Sequence, residues 1–192
     1  MHALFSLHQD HRLLLELTDA LDVFALELTR SAAVGPEAVG AFARAFREFA
    51  DNIHYEKEEQ VLLPCLARHG FDFNGALLEQ VRDEHCQDRY LIDVLSQAAQ
   101  RETEFGWDDR RRLSSTAATL ARMQRNLLMK QDIELLPEVT TALAPETLEE
   151  LNAELSRFDS QRGGRAVKLR RMIQGLTLRY CPAGAEPAPS AS

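Results

Sequence analysis

The stretch His54-Tyr-Glu-Lys-Glu-Glu-Gln-Val-Leu-Leu-Pro64 contains the residues that decide both the fold and the chemistry of this chain. Its His54 and Glu58 are four residues apart, which places their side chains next to each other on one face of a helix. Val61 and Cys65 continue the same face, so this face is expected to point into the protein. An imidazole and a carboxylate in this relation can bind one metal ion.

A near-copy of this stretch occurs later in the chain. Residues 127–137 read Leu-Leu-Met-Lys-Gln-Asp-Ile-Glu-Leu-Leu-Pro, and they share a Lys and the closing Leu-Leu-Pro with the first copy at a constant offset of 73 residues. Leu127 and Gln131 stand where the first copy has its His and its Glu. The second copy therefore offers neither an imidazole nor a carboxylate at these two places.

The hydrophobic pattern predicts an all-α protein, because apolar residues recur every three or four positions. Four long helices are expected, over about residues 3–31, 36–68, 75–101 and 108–142. Since the loops between them are short, neighbouring helices should run antiparallel in an up-down-up-down four-helix bundle. Pro36 is expected to open the second helix, and Asp108 is the expected N-cap of the fourth.

The chain is expected to divide into three parts. Residues 1–144 should form the bundle, residues 145–181 a C-terminal helical extension, and residues 182–192 a disordered tail. Within the extension, a short helix is expected over about 146–158. The pair Gly163-Gly164 should separate this helix from a basic amphipathic segment.

The basic segment allows two interpretations. Between Ser160 and Tyr180 all the charged residues are Lys or Arg, and apolar residues share one side of the predicted helix. It could bind a membrane surface or a partner protein, or support a homodimer. We favour the alternative, in which the segment folds back onto the acidic bundle and buries its own apolar side there.

Composition and charge restrict the function. The chain has 192 residues, of which 45% are hydrophobic and 27% charged, as is ordinary for a soluble globular domain. Its net charge of −8 argues against general nucleic-acid binding. No apolar run is long enough to span a bilayer and no signal sequence is evident, which predicts a cytoplasmic protein. Cys65, Cys86 and Cys181 are expected to be free thiols, because their number is odd and no CxxC is present.

Polar residues interrupt the inward faces of three predicted helices. The first contributes His11, the second His54 and Glu58, and the third His85 with Asp88 one turn later. Three imidazoles and one carboxylate could hold one iron, manganese or zinc ion with a coordination position left open. Each histidine could instead be a hydrogen-bonded core residue, and Glu58 could pair with Lys57, Arg47 or a buried water.

The sequence resembles the hemerythrin-like family, four-helix bundles with an HHE cation-binding domain. The resemblance covers about residues 4–158. It rests on Asp10-His11-Arg12, on the His54–Pro64 stretch, on Asp83-Glu84-His85 and on the Leu-Leu-Pro ending of the second copy. Members of the family usually hold two non-haem irons. The resemblance implies that His11, His54, Glu58 and His85 are metal ligands.

The same resemblance implies that the helix-four ligands are missing, because they would fall at Leu127 and Gln131. His8 and Glu59 are candidate substitutes, and Asp88 and Glu134 are further ones. Glu134 should lie about one turn beyond Gln131, whereas Asp132 should point to a different face if the helix is regular. A full two-iron centre is therefore not expected.

We expect a metal-binding protein with a reduced, mononuclear site that holds iron or manganese. Such a site could take dioxygen or nitric oxide as a ligand and serve in sensing or a stress response. An enzyme is less expected, because the family's chemistry generally relies on two metals. The alternative is a metal-free bundle that keeps the fold as an interaction or dimerisation module.

Overall fold

The structure is a computed structural model that describes residues 4–31, 33–70 and 76–181. Within these residues it contains five helices and no strand, which confirms the all-α fold class. The helices are α1 (Phe5–Arg30), α2 (36–68), α3 (Ala76–Ala98), α4 (107–142) and α5 (Pro145–Tyr180). Gly75, the expected start of α3, and the expected tail 182–192 lie outside the described residues.

Helices α1 to α4 form the predicted bundle, and α5 packs on its outside. α1 packs against α4 and α5, while α3 packs against α2 and α4. Pro36 occupies the first turn of α2, as expected, and Gly70 follows its end with a left-handed φ of 69°. The N-cap of α4 is Gly106 and not Asp108, which lies in the first turn, where its negative charge favours the helix dipole.

The interior contains two apolar clusters separated by a polar layer. The larger cluster includes Phe24, Phe42 and Leu120, whereas the smaller one includes Leu62 and Val139. The polar layer consists of buried residues that lie between members of the two clusters along each helix. They are His11 on α1, His54 and Glu58 on α2, and Gln131 on α4. Buried polar side chains of this kind need partners, which makes the layer the natural place for a functional site.

The two near-copies share an unusual backbone feature. α2 is π-helical at Phe46–Tyr55 and Glu58–Leu62, and α4 is π-helical at Gln131–Leu135. The last two segments are at the same register in the two copies, and each ends just before a Leu-Pro pair. Proline lacks an N–H and crowds the carbonyl four residues earlier, which favours a wider turn at this point.

Helix α5 continues through Gly163-Gly164, so the expected break between a short helix and a basic segment is wrong. Each glycine disfavours helix by only about 1 kcal/mol, and packing on both sides holds the helix together. Phe158 is buried on one side of the pair, and Leu169 and Ile173 on the other. The basic segment thus folds back onto the bundle, as favoured above.

Ion pairs add to this packing. Arg162 binds Glu56 at 2.8 Å, and Arg165 pairs with Glu48; both acidic residues belong to α2. Within the described residues, no helix combines the length and the apolar character that crossing a membrane requires.

Candidate metal centre

The four residues expected to be metal ligands are all buried: three belong to the polar layer, and the fourth, His85, adjoins it from α3. His11, His54 and Glu58 come together, with ligand atoms that all lie within 4.8 Å of one another. His85 approaches from α3, and its Nε2 lies 3.1 Å from Glu58 Oε2. His54 Nε2 lies 3.9 Å from the other oxygen, Oε1. Glu58 is therefore the centre of the group, with one oxygen directed to each side.

Several of these buried atoms have no hydrogen-bond partner among the described residues. They are His11 Nε2, His54 Nδ1 and Nε2, Glu58 Oε1 and His85 Nε2. A buried polar atom without a partner costs roughly 1–3 kcal/mol, so such a cluster needs an explanation. A cation beside Glu58 could accept lone pairs from the Nε2 atoms of the imidazoles and from Glu58 Oε1, whereas His54 Nδ1 faces Asp10 instead. Three imidazole nitrogens and a carboxylate oxygen fit iron, manganese or zinc.

Each imidazole has a carboxylate near its Nδ1, which leaves Nε2 directed to the centre. Asp132 contacts His11 at 2.7 Å, and Glu59 contacts His85 at 2.8 Å. Asp10 lies 3.8 Å from His54 Nδ1, a longer contact that the charge of the carboxylate can still stabilise. Histidines that bind metals in proteins almost always have such a partner, because it fixes the tautomer and increases the basicity of the other nitrogen.

Electrostatics in the layer favour a charged Glu58. Burial raises its pKa, but the neighbouring imidazoles of His54 and His85 outweigh burial and lower the pKa to about 2. Burial lowers the pKa of His85, yet the carboxylates of Glu58 and Glu59 raise it to about 9. The pKa of His54 is lowered, mainly by burial. Without a metal, the layer therefore holds a Glu58–His85 ion pair beside a neutral His54.

The helix-four positions carry no ligand of the expected kind. Leu127 is buried and belongs to the larger apolar cluster. Gln131 is also buried, and its Nε2 donates a hydrogen bond of 3.2 Å to Glu58 Oε2. The amide group thus occupies the side of Glu58 on which a second metal would need a carboxylate.

The candidate substitute ligands do not lie at the centre of this group. His8 is exposed and contacts Asp132 at 3.1 Å, and with His11 and Asp132 it forms a second group whose ligand atoms lie within 4.8 Å of one another. Glu134 is exposed. Glu59 is engaged by His85 and by Arg89. Asp88 accepts a hydrogen bond of 2.6 Å from the Tyr55 hydroxyl and one of 2.5 Å from the Gln124 amide.

The structure decides the face on which Asp132 lies and rules out two of the alternative partners of Glu58. Asp132 contacts His11 instead of pointing away from the site, because α4 is π-helical here and not regular. Lys57 does not pair with Glu58 but with Asp10 and Asp159, at 2.5 and 2.6 Å. Arg47 does not pair with Glu58 either, since it binds the carboxylates of Asp51 and Asp93.

Other residues of the site were not apparent in the sequence. Asp10 lies one residue before His11 and contacts the imidazole of His54, and the only signal was its place on a buried helix face. Tyr55 stacks on His85 with ring centroids 3.8 Å apart and planes at 13°. The position of Tyr55 next to His54 in the sequence does not predict this contact, because the contact depends on how α2 packs against α3.

Comparison with known protein families identifies the family of the chain. The family model of the hemerythrin HHE cation binding domain matches residues 2–139, which include α1 to α3 and nearly all of α4. Comparisons with curated proteins and with solved structures gave no match. The family match covers more than half of the chain, and the chain therefore belongs to the hemerythrin HHE cation-binding family.

Proposed function

We propose that this protein binds a single metal ion, iron or manganese, through His11, His54, Glu58 and His85. The observation that carries the proposal is the set of buried nitrogen and oxygen atoms without hydrogen-bond partners around Glu58. The carboxylate favours iron or manganese as a hard ligand, although zinc also fits three imidazoles and an oxygen. Leu127 and Gln131 support one ion rather than two, because neither supplies a strong ligand on the α4 side.

The protein's own residues would prepare the site for the ion. Asp10, Asp132 and Glu59 orient the three imidazoles, and the apolar clusters above and below exclude water. Because the ligand nitrogens must be unprotonated, binding should release the proton from His85. With four protein ligands an iron centre keeps room for dioxygen or nitric oxide, which suits a sensing or stress-response role better than catalysis.

A second candidate is a metal-free bundle that serves as an interaction or dimerisation module. The Glu58–His85 contact and the Gln131 hydrogen bond favour it, because they compensate the buried carboxylate in part without an ion. The basic face of α5 would then be the surface for an acidic partner or a second copy.

We place the protein in the cytoplasm. Cys65, Cys86 and Cys181 are free, as expected for thiols in a reducing compartment.

Thermal unfolding of the metal-free full-length protein with added Mn²⁺ or anaerobic Fe²⁺ tests the proposal. An ion at about a hundred times its Kd stabilises the folded state by roughly 2.7 kcal/mol, which raises Tm by several degrees. Glu58→Gln should abolish this rise, because the nearly isosteric amide is a poor ligand. Glu56→Gln is the matched control, since Glu56 lies on the same helix and pairs with Arg162 instead. No rise in the unmodified protein, or an equal rise in Glu58→Gln, would refute the proposal in favour of the metal-free module.

A further inference from the structure

A cavity of about 500 Å³ lies outside the metal centre, between α1, α2 and α5. Its apolar wall is formed by Phe5 of α1, by Phe49 and Ile53 of α2, and by Ala166 and Val167 of α5. The volume is within the range of ordinary small-molecule sites, which are concave and mostly apolar with a few polar groups. The cavity is open because small residues of α5, including Gly163, face α1 and α2 at this point.

Part of the cavity's apolar wall is exposed to solvent. Phe5 is 51% exposed and Val167 is 52% exposed, and both belong to the large hydrophobic residues that remain exposed among the described residues. Covering such surface contributes about 25 cal/mol per Å². A ligand with an apolar body would therefore gain affinity by lying between these two side chains.

Most of the charged groups around the cavity are already compensated. Asp10 and Asp159 both line it, but the buried ammonium group of Lys57 contacts both carboxylates. Arg162 is engaged by Glu56 and stacks on the ring of Phe158, with its guanidinium carbon 3.7 Å from the ring centroid.

Arg170 differs from these residues. It lines the cavity and is half-buried, and it forms no ion pair or side-chain hydrogen bond with the part of the chain that the structure describes. A partly desolvated guanidinium without a counter-ion is a ready partner for a carboxylate, which it can bind through two parallel hydrogen bonds.

We propose that this cavity is a binding site for a small amphiphilic carboxylate, with the head group at Arg170 and the apolar chain against Phe5, Phe49 and Val167. A medium-chain fatty acid has this chemistry. The cavity shares Asp10 with the surroundings of the metal centre, but the proposal does not rest on the function proposed above.

Two neighbouring glycines provide a matched pair of variants. Gly163 lines the cavity, whereas Gly164 does not, and a Cβ at either position would meet no atom within 4 Å. The Cβ of a leucine therefore meets open space at both positions, and leucine should strengthen helix α5 about equally, by roughly 1 kcal/mol. Only Gly163→Leu places the new side chain in the cavity.

Calorimetric titration of the full-length protein with decanoate, below the concentration at which decanoate forms micelles, tests the proposal. We expect one decanoate per chain, no binding to Gly163→Leu, and unchanged binding to Gly164→Leu. Arg170→Gln should weaken binding by about tenfold or more, the loss expected for a hydrogen bond between charged groups. Arg171→Gln, which removes an exposed arginine outside the cavity, should bind as the unmodified protein does.

The proposal would be overturned by the absence of decanoate binding, by binding of several molecules per chain, or by binding that Gly163→Leu leaves intact. Equal binding of decanoate and decanol would also overturn it, because the guanidinium of Arg170 would then play no part in recognition.

Discussion

Glu58 and Gln131, which occupy equivalent positions in the two near-copies, meet in the middle of the bundle, where the Gln131 amide donates a hydrogen bond of 3.2 Å to Glu58 Oε2. The two copies of the near-repeat are therefore opposed helix segments. Each contains a π-helical turn that ends just before its Leu-Pro pair. One segment supplies a carboxylate to the centre and the other an amide. The proposed single-ion site follows from this difference.

Restoring the missing pair of ligands should increase the number of ions that the protein holds. We expect Leu127→His combined with Gln131→Glu to raise the metal content from about one ion per chain to about two, because both positions are buried one turn apart on α4 and Gln131 contacts Glu58. Elemental analysis after loading with iron measures this. Met129→His combined with Ile133→Glu is the control, since it places the same pair on the exposed face of α4. An unchanged metal content in the first variant would show that Leu127 and Gln131 are not the positions of the missing ligands.

Asp132 should act as a positioning residue for His11 and not as a ligand. Replacing it by Asn removes the negative charge 2.7 Å from His11 Nδ1 and should weaken metal affinity by about tenfold, with the number of ions unchanged. Competition with a chelator of known affinity measures the change. Asp22→Asn, at a carboxylate that pairs with Arg125 on the outside of the bundle, should leave affinity as it is. Complete loss of the metal in Asp132→Asn would mean that Asp132 itself is a ligand.

The buried Lys57 should be important for folding. Its ammonium group compensates Asp10 and Asp159, so Lys57→Met leaves two carboxylates without their cation and should lower the free energy of unfolding by about 3 kcal/mol. Urea denaturation of the metal-free protein measures this. Lys130→Met is the control from the other near-copy, because Lys130 contacts the exposed Gln80 and should matter by less than about 0.5 kcal/mol. Equal effects of the two changes would contradict the role assigned to Lys57.

Asp88 should make the metal-free protein less stable as pH rises. Burial raises its pKa from 3.8 to about 6, so the folded state binds a proton that the unfolded state has lost. The contribution of this proton to the free energy of unfolding is fully present below about pH 4. It is lost as pH rises through about 6, which lowers the free energy of unfolding by roughly 3 kcal/mol. Asn at position 88 cannot ionise, so Asp88→Asn should remove this decrease in the free energy of unfolding. Between pH 4 and 7 the variant should therefore gain stability relative to the unmodified protein. Urea denaturation across that range measures the difference, and parallel curves for the two proteins would contradict the assignment.

The fold was predictable because its signal is local. The apolar residues of α1 to α4 repeat at helical spacing, and Pro36 and Gly70 mark the start and end of α2. Gly163-Gly164 misled the prediction because tertiary packing overrides intrinsic propensity: Phe158 and Leu169 are buried on either side of the pair and keep α5 continuous.

The site was predictable in its centre but not in its surroundings. His11, His54, Glu58 and His85 lie at inward positions of regular sequence patterns, which is why the sequence identifies them as candidates. The contact of Asp132 with His11 could not be predicted, because the π-helical turn of α4 changes which side chains share a face.

The number of metal ions per chain tests the central claim most directly. It should be measured by elemental analysis of the full-length protein, both after growth with added iron and after anaerobic loading with Fe²⁺. The proposed single-ion site predicts about one ion per chain, and this ion should be lost when His54→Ala and Glu58→Ala are combined. No bound ion under either condition, or two ions per chain in the unmodified protein, would contradict it.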